Sequence, residues 1–372
     1  MSRCISALSM SSDAKTAVEE VCAKIDAEVE LPVAVIFFSE YDIFEDVARL
    51  IRDKYPSALS IGSSTYLNIV NDKHSRTGMS AMAIFSGVEV SFGTLEEINR
   101  HPMNYMKRIT EAMEKLESTK DTICLEFTPA FLNSEELVLD TFAKALEDKD
   151  IPVVGSSSGC EFGENKAAVA LNGEVYENRT VFAFIRNLEG SIKVYKENIY
   201  KPTDKFLRVT DIDCAEKRIY EFDDKPAFAA MKEILGVEDD RLMPDAIAKR
   251  PIGRIEDGEI FITDVNKIHE DGSLTYLTRV YNMTKVAILE LDDVKKVWNE
   301  TAKACKKLIK KPEFTLVVNC GGRCKTFEEM KLIDSFTEIL SEKYGTFVTV
   351  SGFGEQLNDT HFNQTMLLIM FE

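Results

Sequence analysis

The sequence predicts an α+β (mixed α/β) chain of two packed domains, each a mixed or antiparallel sheet covered by helices. Three observations lead there. The 372 residues are about twice a typical single domain. Apolar runs of strand length alternate with stripes at helical spacing. Several strands also follow one another with no helix between them, which excludes a strict βαβ alternation.

The elements come in order along the chain. Residues 12 to 29 read as a helix entered through Ser12 and Asp13. Val33 to Phe38 is a continuous apolar run, and Phe44, Val47, Ala48 and Ile51 follow at helical spacing. Ala58 to Ile61 is a short strand that stops at Gly62. Ala81 to Phe85 and Val88 to Phe92 form a strand pair turned at Ser86-Gly87. A helix from about Pro102 to Leu116 leads to the strand Thr122 to Phe127. The next helix takes Ser134 as its N-cap and faces Val138, Phe142, Ala145 and Leu146 inward. Strands follow at 152–155, 167–171, 180–185 and 192–194.

The second half starts around Lys217. Its strands fall at 219–222, 260–263, 274–277, 286–289, 314–318, 347–350 and 366–371. Its helices are marked by Phe228, Met231, Ile234 and Leu235 before Gly236, by a long stripe from Val294 to Leu308, and by Leu332 to Leu340. No low-complexity linker separates the halves and no short-period repeat is present.

Charge limits the partners. Sixty-three acidic residues against 45 basic ones give a formal charge of −18, which repels a phosphate backbone and an anionic membrane face. Of the lysines at 295, 296, 306, 307, 310 and 311, most fall late in a predicted helix, where cations complement the dipole. No signal peptide and no membrane-length apolar run are visible, so the expected location is the cytoplasm, without nucleic acid or membrane insertion. The eight cysteines are scattered and read as reduced thiols.

Four places put glycine and small hydroxyl residues directly after a strand. They are Gly62-Ser63-Ser64-Thr65, Gly155-Ser156-Ser157-Ser158-Gly159, Cys320-Gly321-Gly322-Arg323 and Gly352-Phe353-Gly354-Glu355. Strand ends gather free N–H groups and hydroxyls, so four such turns point to a ligand cleft fed by Gly62, Ser64, Thr65, Gly155 and Ser156. None is a phosphate loop, and no dinucleotide fingerprint occurs. Arg323 suits bidentate capture of a carboxylate, with Glu355 and Asn358 contacting an amino group; the alternative for Arg323 is an ion pair with one of the many acidic residues. Cys320 and Cys324 lack the further ligands of a metal site. Cys320 with His361 has the elements of a hydrolase pair but no nucleophile motif. His74, His101, His269 and His361 are dispersed.

The C-terminal residues then resemble a known family. Gly354-Glu355-Gln356-Leu357-Asn358 followed by His361-Phe362-Asn363-Gln364-Thr365-Met366 is similar to the closing motif of the FIST C-terminal domain. Asn319-Cys320-Gly321-Gly322-Arg323 and Ile219 to Ala227 resemble other parts of that domain. Ile61 to Thr65 and Pro152 to Ser156 resemble the FIST N-terminal domain. Ser63 stands where the family often has cysteine, and Thr349-Val350 where it has Gly-Phe. The resemblance implies an N-terminal helix at 1–30, a FIST N-like domain at 31–217 and a FIST C-like domain at 218–372, with no attached output domain.

It further implies a non-enzymatic sensory module. Such a module binds a small ligand, an amino acid or a small carboxylate, through the strand-end residues together with His361 and Asn363, and signals to a separate protein. No cofactor is then required. Haem is the alternative, with His361 as axial ligand of a nitric oxide sensor, and a Cys-dependent hydrolase is the third possibility.

Overall fold

The computed structural model describes residues 3–28, 30–96 and 102–372, and the chain divides into two compact units. Unit 1 comprises Met1–Glu197, Glu300–Thr360 and Met366–Glu372; unit 2 comprises Asn198–Asn299 and His361–Thr365. His101 and position 29, the last residue of the predicted first helix, lie outside the described residues. As the sequence predicts, the architecture is α+β with mixed and antiparallel sheets.

Unit 1 repeats one pattern three times. The first copy runs β1 (Cys4–Ser9), α1 (Ala14–Ile25), β2 (Ala34–Ser39), α2 (Tyr41–Lys54), β3 (Leu59–Ser64), β4 (Asn68–Val70), β5 (Lys73–Ser75) and β6 (Met79–Ile84). The second runs β7 (Val88–Glu96), α3 (Pro102–Met113), β8 (Thr122–Pro129), α4 (Glu135–Ala145), β9 (Val153–Ser158), β10 (Val169–Leu171), β11 (Glu174–Tyr176) and β12 (Arg179–Asn187). A third copy begins at β13 (Ile192–Asn198), where unit 2 is inserted.

Unit 2 holds β14 (Tyr200–Asp213), β15 (Arg218–Phe222), β16 (Lys225–Pro226), α5 (Ala227–Leu235), α6 (Met243–Lys249), β17 (Ile252–Glu256), β18 (Glu259–Thr263), β19 (Val265–Ile268), β20 (Leu274–Tyr276) and β21 (Lys285–Leu291). They form one sheet in the order β18-β17-β21-β14-β15-β20-β19, with β16 on β15. Met231, Met243 and Ile247 of its helices pack on Val209, Phe222 and Ile288. Gly236 ends α5 in the left-handed region, φ 68°, as a glycine past the last apolar turn predicts.

The third copy resumes through α7 (Val294–Leu308), β22 (Phe314–Cys320), α8 (Gly321–Glu329), α9 (Ile333–Lys343), β23 (Thr346–Gly352), β24 (Glu355–Leu357), β25 (Thr360–Phe362) and β26 (Thr365–Phe371). The three sheets have the orders β1-β6-β2-β3-β10-β11, β7-β12-β8-β9-β24-β25 and β13-β26-β22-β23-β4-β5. Each centres on a parallel pair, β2–β3, β8–β9 or β22–β23, flanked by an antiparallel neighbour. Each hairpin leaves its own copy: β4 pairs with β23, β10 with β3, and β24 with β9. The exchange is cyclic, so no copy completes its sheet alone.

The hairpin turns carry the mark of the repeat. Asn71, Asn172 and Asn358 follow Val70, Leu171 and Leu357, and all three are left-handed, with φ of 53°, 51° and 57°. Asparagine tolerates that conformation. Asn172 Oδ1 accepts from Ser60 N at 3.1 Å and Asn358 Oδ1 from Val153 N at 3.3 Å, so each turn also grips the neighbouring copy's strand.

The inner faces of the three sheets share one core, with Ile36, Met82, Leu125, Val181, Leu316 and Leu367 among its members. Helices cover the outer faces: Val21 and Phe44 pack over Val35 and Phe37, and Ile109 and Phe142 over Phe182 and Phe184. The central strands are thus buried on both faces, which is why apolar residues dominate them, without a break from Ala34 to Phe38 in β2 and around the buried Glu126 in β8.

Candidate functional site

The four glycine-rich segments do converge, all of them inside unit 1. Three are the equivalent ends of β3, β9 and β23, and their backbones interlock. Gly159 N donates to Ser64 O at 3.0 Å, Tyr66 N to Ser351 O at 2.9 Å, Ser157 N to Gly354 O at 3.0 Å, and Phe353 N to Ser157 O at 3.0 Å. The approach is close enough to require glycine. A Cβ on Gly352 would stand 2.0 Å from Ser156 Oγ and 2.2 Å from Ser157 O, and one on Gly155 would stand 2.1 Å from Glu126 O.

The hydroxyls here serve the same junction. Ser64 Oγ accepts from Ala168 N at 3.1 Å, and Ser156 Oγ donates to Ser157 O at 3.0 Å and reaches Gly354 O at 3.2 Å. Thr65 Oγ1 accepts from Ser351 N at 2.8 Å. Gly62 lies against the Phe37 ring. These residues hold three copies together through groups that a ligand would otherwise use.

The fourth segment is not a free turn. Cys320 is the N-cap of α8, and Arg323 sits in the helix's first turn with none of its surface exposed. Its Nη2 donates to Glu197 Oε1 at 2.5 Å, and the guanidinium lies over the Phe327 ring at 5.4 Å. Among the described residues, Arg323 Nε and Nη1 and Glu197 Oε2 find no hydrogen-bond partner. The acidic chain thus supplies Arg323 with its own buried carboxylate. Cys324, also in α8, has its thiol pushed up to about 11 by burial, the opposite of what a nucleophile needs.

Of the remaining predicted residues, Glu355 is buried opposite Ser156 on the β24–β9 ladder. Asn358 is the exposed turn residue already described. His361 and Asn363 belong to unit 2, where Asn363 Oδ1 accepts from Asp264 N at 3.1 Å.

A cavity of about 120 Å³ opens beside the interlocked strand ends, within unit 1. Glu40, Tyr41 and Asp42 line it from the end of β2 and the start of α2, Thr65 and Tyr66 from beyond β3, Arg76 and Thr77 from beyond β5, and Glu161 and Glu164 from beyond β9. Among the residues singled out from sequence, only Thr65 faces it. The others were missed because Glu40, Tyr41 and Asp42 follow a strand end without glycine, Arg76 and Thr77 follow a hairpin too short to read, and Tyr66, Glu161 and Glu164 lie one to five residues past the glycine-bearing segments. The local signal was position alone: Glu40-Tyr41-Asp42 comes straight after a clear apolar strand.

Acid dominates this cavity, with four lining carboxylates against one guanidinium. Arg76 stacks over Tyr66 at 4.7 Å, and its nitrogens reach Glu161 at 3.0 Å and Glu328 at 2.6 Å. Tyr66 donates to the same Glu328 at 2.9 Å; burial, then that carboxylate, pushes its hydroxyl pKa up. Tyr41 donates to Glu177, and that bond, with burial, pushes it up to about 12. Both tyrosines therefore stay neutral donors. Among the described residues, the lining carboxylates do not gather three ligand atoms around one point, so a metal ion finds no ready set of ligands there. Outside the lining, Tyr66 begins a chain of aromatic contacts, with ring centroids 4.9 Å from Tyr66 to Phe162, 5.2 Å from Phe162 to Phe353 and 5.5 Å from Phe353 to Phe131.

Comparison with known families places the chain. The FIST N domain model matches residues 33–225 and the FIST C domain model residues 227–358, so the chain belongs to the FIST family. FIST domains are sensory, signal-transduction domains that bind small ligands. No curated protein matches the chain. Among the described residues, no helix is long and apolar enough to cross a membrane.

Proposed function

We propose that this chain is a ligand-sensing input module whose ligand is a small amine-bearing molecule of the amino acid class, held in the cavity at the ends of β2 and β3. The observation that carries this is the lining itself. Glu40, Asp42 and Glu164 offer an ammonium group carboxylates that Arg76 does not engage, and Tyr41 offers an aromatic face. The only lining guanidinium, Arg76, already has Glu161 and Glu328 as partners, so a simple carboxylate would have to compete with two fixed ones. That argues for the amino acid and against the small carboxylate. The cavity, about 120 Å³, suits a small molecule rather than a peptide or a macrocycle.

No catalytic step and no cofactor belong to this function, and the output passes to a separate protein. Any such signal requires that ligand favour one conformation over another. The test is a thermal-shift panel of amino acids, amines, small carboxylates and haem on the full chain and on Thr77→Trp, which fills the cavity mouth. A ligand at 100 times its dissociation constant stabilises the native state by about 2.7 kcal/mol. An amine or amino acid should raise Tm in the parent and lose the effect in Thr77→Trp. A panel in which only haem or carboxylates act, or in which Thr77→Trp responds as the parent does, rejects the proposal.

A further inference from the structure

Lys166 already occupies a cation position at the edge of this cavity. It lies on the loop between β9 and β10, and its side chain is 47% exposed. Its Nζ stands 3.5 Å from Asp42 Oδ1 and 3.7 Å from Glu164 Oε2, and 5.4 Å from the centre of the Tyr41 ring. An aromatic face with two carboxylates beside it is the chemistry that recognises a primary ammonium. Both carboxylates and the tyrosine line the cavity. Lys166 thus resembles a bound amine supplied by the chain itself.

The charge balance takes the argument further. Four lining carboxylates face Arg76, and adding Lys166 still leaves the cavity two charges negative. A zwitterionic amino acid, with no net charge, would not correct that excess. A ligand carrying two cationic groups would bring it down to one, even with Lys166 gone.

We infer that the cavity selects a short molecule bearing two ammonium groups, a diamine or an amino acid with a basic side chain, and that Lys166 is a tethered competitor which this ligand displaces. The inference rests on the cavity being the ligand site. One ammonium takes the place of Lys166 between Asp42 and Glu164 on Tyr41. The other is balanced by the remaining carboxylates, Glu40 and Glu161. Lys166 then swings into solvent, which its loop position and its long ion-pair distances allow. Because the competitor is part of the chain, it lowers the fraction of protein able to bind and weakens apparent affinity by that fraction.

The experiment is isothermal titration of the full chain with 1,4-diaminobutane, L-lysine, L-alanine and succinate, repeated on Lys166→Ala, Asp42→Asn and Glu164→Gln. All three positions are substantially exposed, and circular dichroism checks that each variant is folded. The diamine and L-lysine should bind at least tenfold more tightly than L-alanine. Lys166→Ala should tighten both severalfold, while Asp42→Asn and Glu164→Gln should each weaken them about tenfold. Equal affinity for L-alanine and L-lysine overturns the dication selectivity while leaving the cavity as the ligand site, and preference for succinate overturns the amine reading on which the inference rests as well. Unchanged affinity in Lys166→Ala overturns the competitor. No binding of any of the four overturns both the inference and the site on which it rests.

Discussion

Two arginines of unit 1 follow strand ends and pair with glutamates, and they could hardly be placed more differently. Arg323 is wholly buried, makes one hydrogen bond to Glu197, and leaves two of its own nitrogens and one glutamate oxygen without partners. Arg76 is 44% exposed, engages Glu161 and Glu328, and stacks on Tyr66 at the mouth of a cavity. A glycine-rich context made Arg323 the conspicuous residue in the sequence, yet its partner is internal. Arg76 has no such context and lines the cavity proposed to hold the ligand. Conspicuous sequence here marks tight packing of backbone, and the lining of the proposed site lies just beyond it.

The comparison breaks most sharply under substitution. Arg323→Met leaves the Glu197 carboxylate buried and uncompensated, which should destabilise the protein by about 3–5 kcal/mol. The double variant Arg323→Met, Glu197→Leu removes both charges and should recover most of that loss, since a buried pair is often no better than apolar residues of similar volume. Urea midpoints of the parent, the single and the double variants measure it. A single variant within about 1 kcal/mol of the parent would place Glu197 in contact with water and undo the contrast.

Asp264 in unit 2 sharpens the same point with a lone carboxyl. Its Oδ2 accepts from Gln364 Nε2 at 2.7 Å, while Oδ1 is sealed off without a partner. Burial pushes its pKa up to about 6 from 3.8. The folded protein therefore holds this proton more tightly than the unfolded chain does. The group carries no penalty below pH 3.8, loses stability as pH rises through about 6, and is flat above. The full shift corresponds to about 3 kcal/mol, which the partial exposure of the residue trims to about 1–2 kcal/mol. Asp264→Asn keeps the acceptor for Gln364 and removes the charge. It should be more stable than the parent at pH 7 by that amount, and the gain should shrink toward pH 4. A constant gain across this range would assign the effect to packing.

The same division explains what could be read from the sequence. Strands β2, β8, β22 and β26 were legible because both faces are buried and apolar residues dominate them. Strand β1 was not, because Ser6 and Ser9 interrupt it. The hairpins of three-residue strands at 68–75 and 355–362 were not, because segments that short show no period. The triple repeat was visible in principle as Val70-Asn71-Asp72, Leu171-Asn172-Gly173 and Leu357-Asn358-Asp359, but the inserted unit breaks the spacing of the third copy. Four strand-end segments were correctly read as converging. Their lining was not legible, because Arg76 meets Glu161 and Glu328 across 85 and 252 residues, separations that no local pattern encodes.

Arg76→Ala should be the mildest of these substitutions for stability. Half-exposed ion pairs lose little when broken, because water solvates each partner and salt screens the attraction. The expected loss is below about 1 kcal/mol in urea and should fade further when ionic strength is raised toward 1 M. Ligand binding should respond in the other direction. Removing the guanidinium frees Glu161 and makes the cavity one charge more negative, so a cationic ligand should bind severalfold more tightly. A carboxylate-bearing ligand that relied on Arg76 would instead be lost. A near-neutral effect on stability with a clear change in affinity is the signature of a charge that serves the cavity, whereas Arg323 should show a large loss of stability. If Arg76→Ala unfolded the protein as Arg323→Met does, both arginines would be structural and the division drawn between buried and half-exposed pairs would fail.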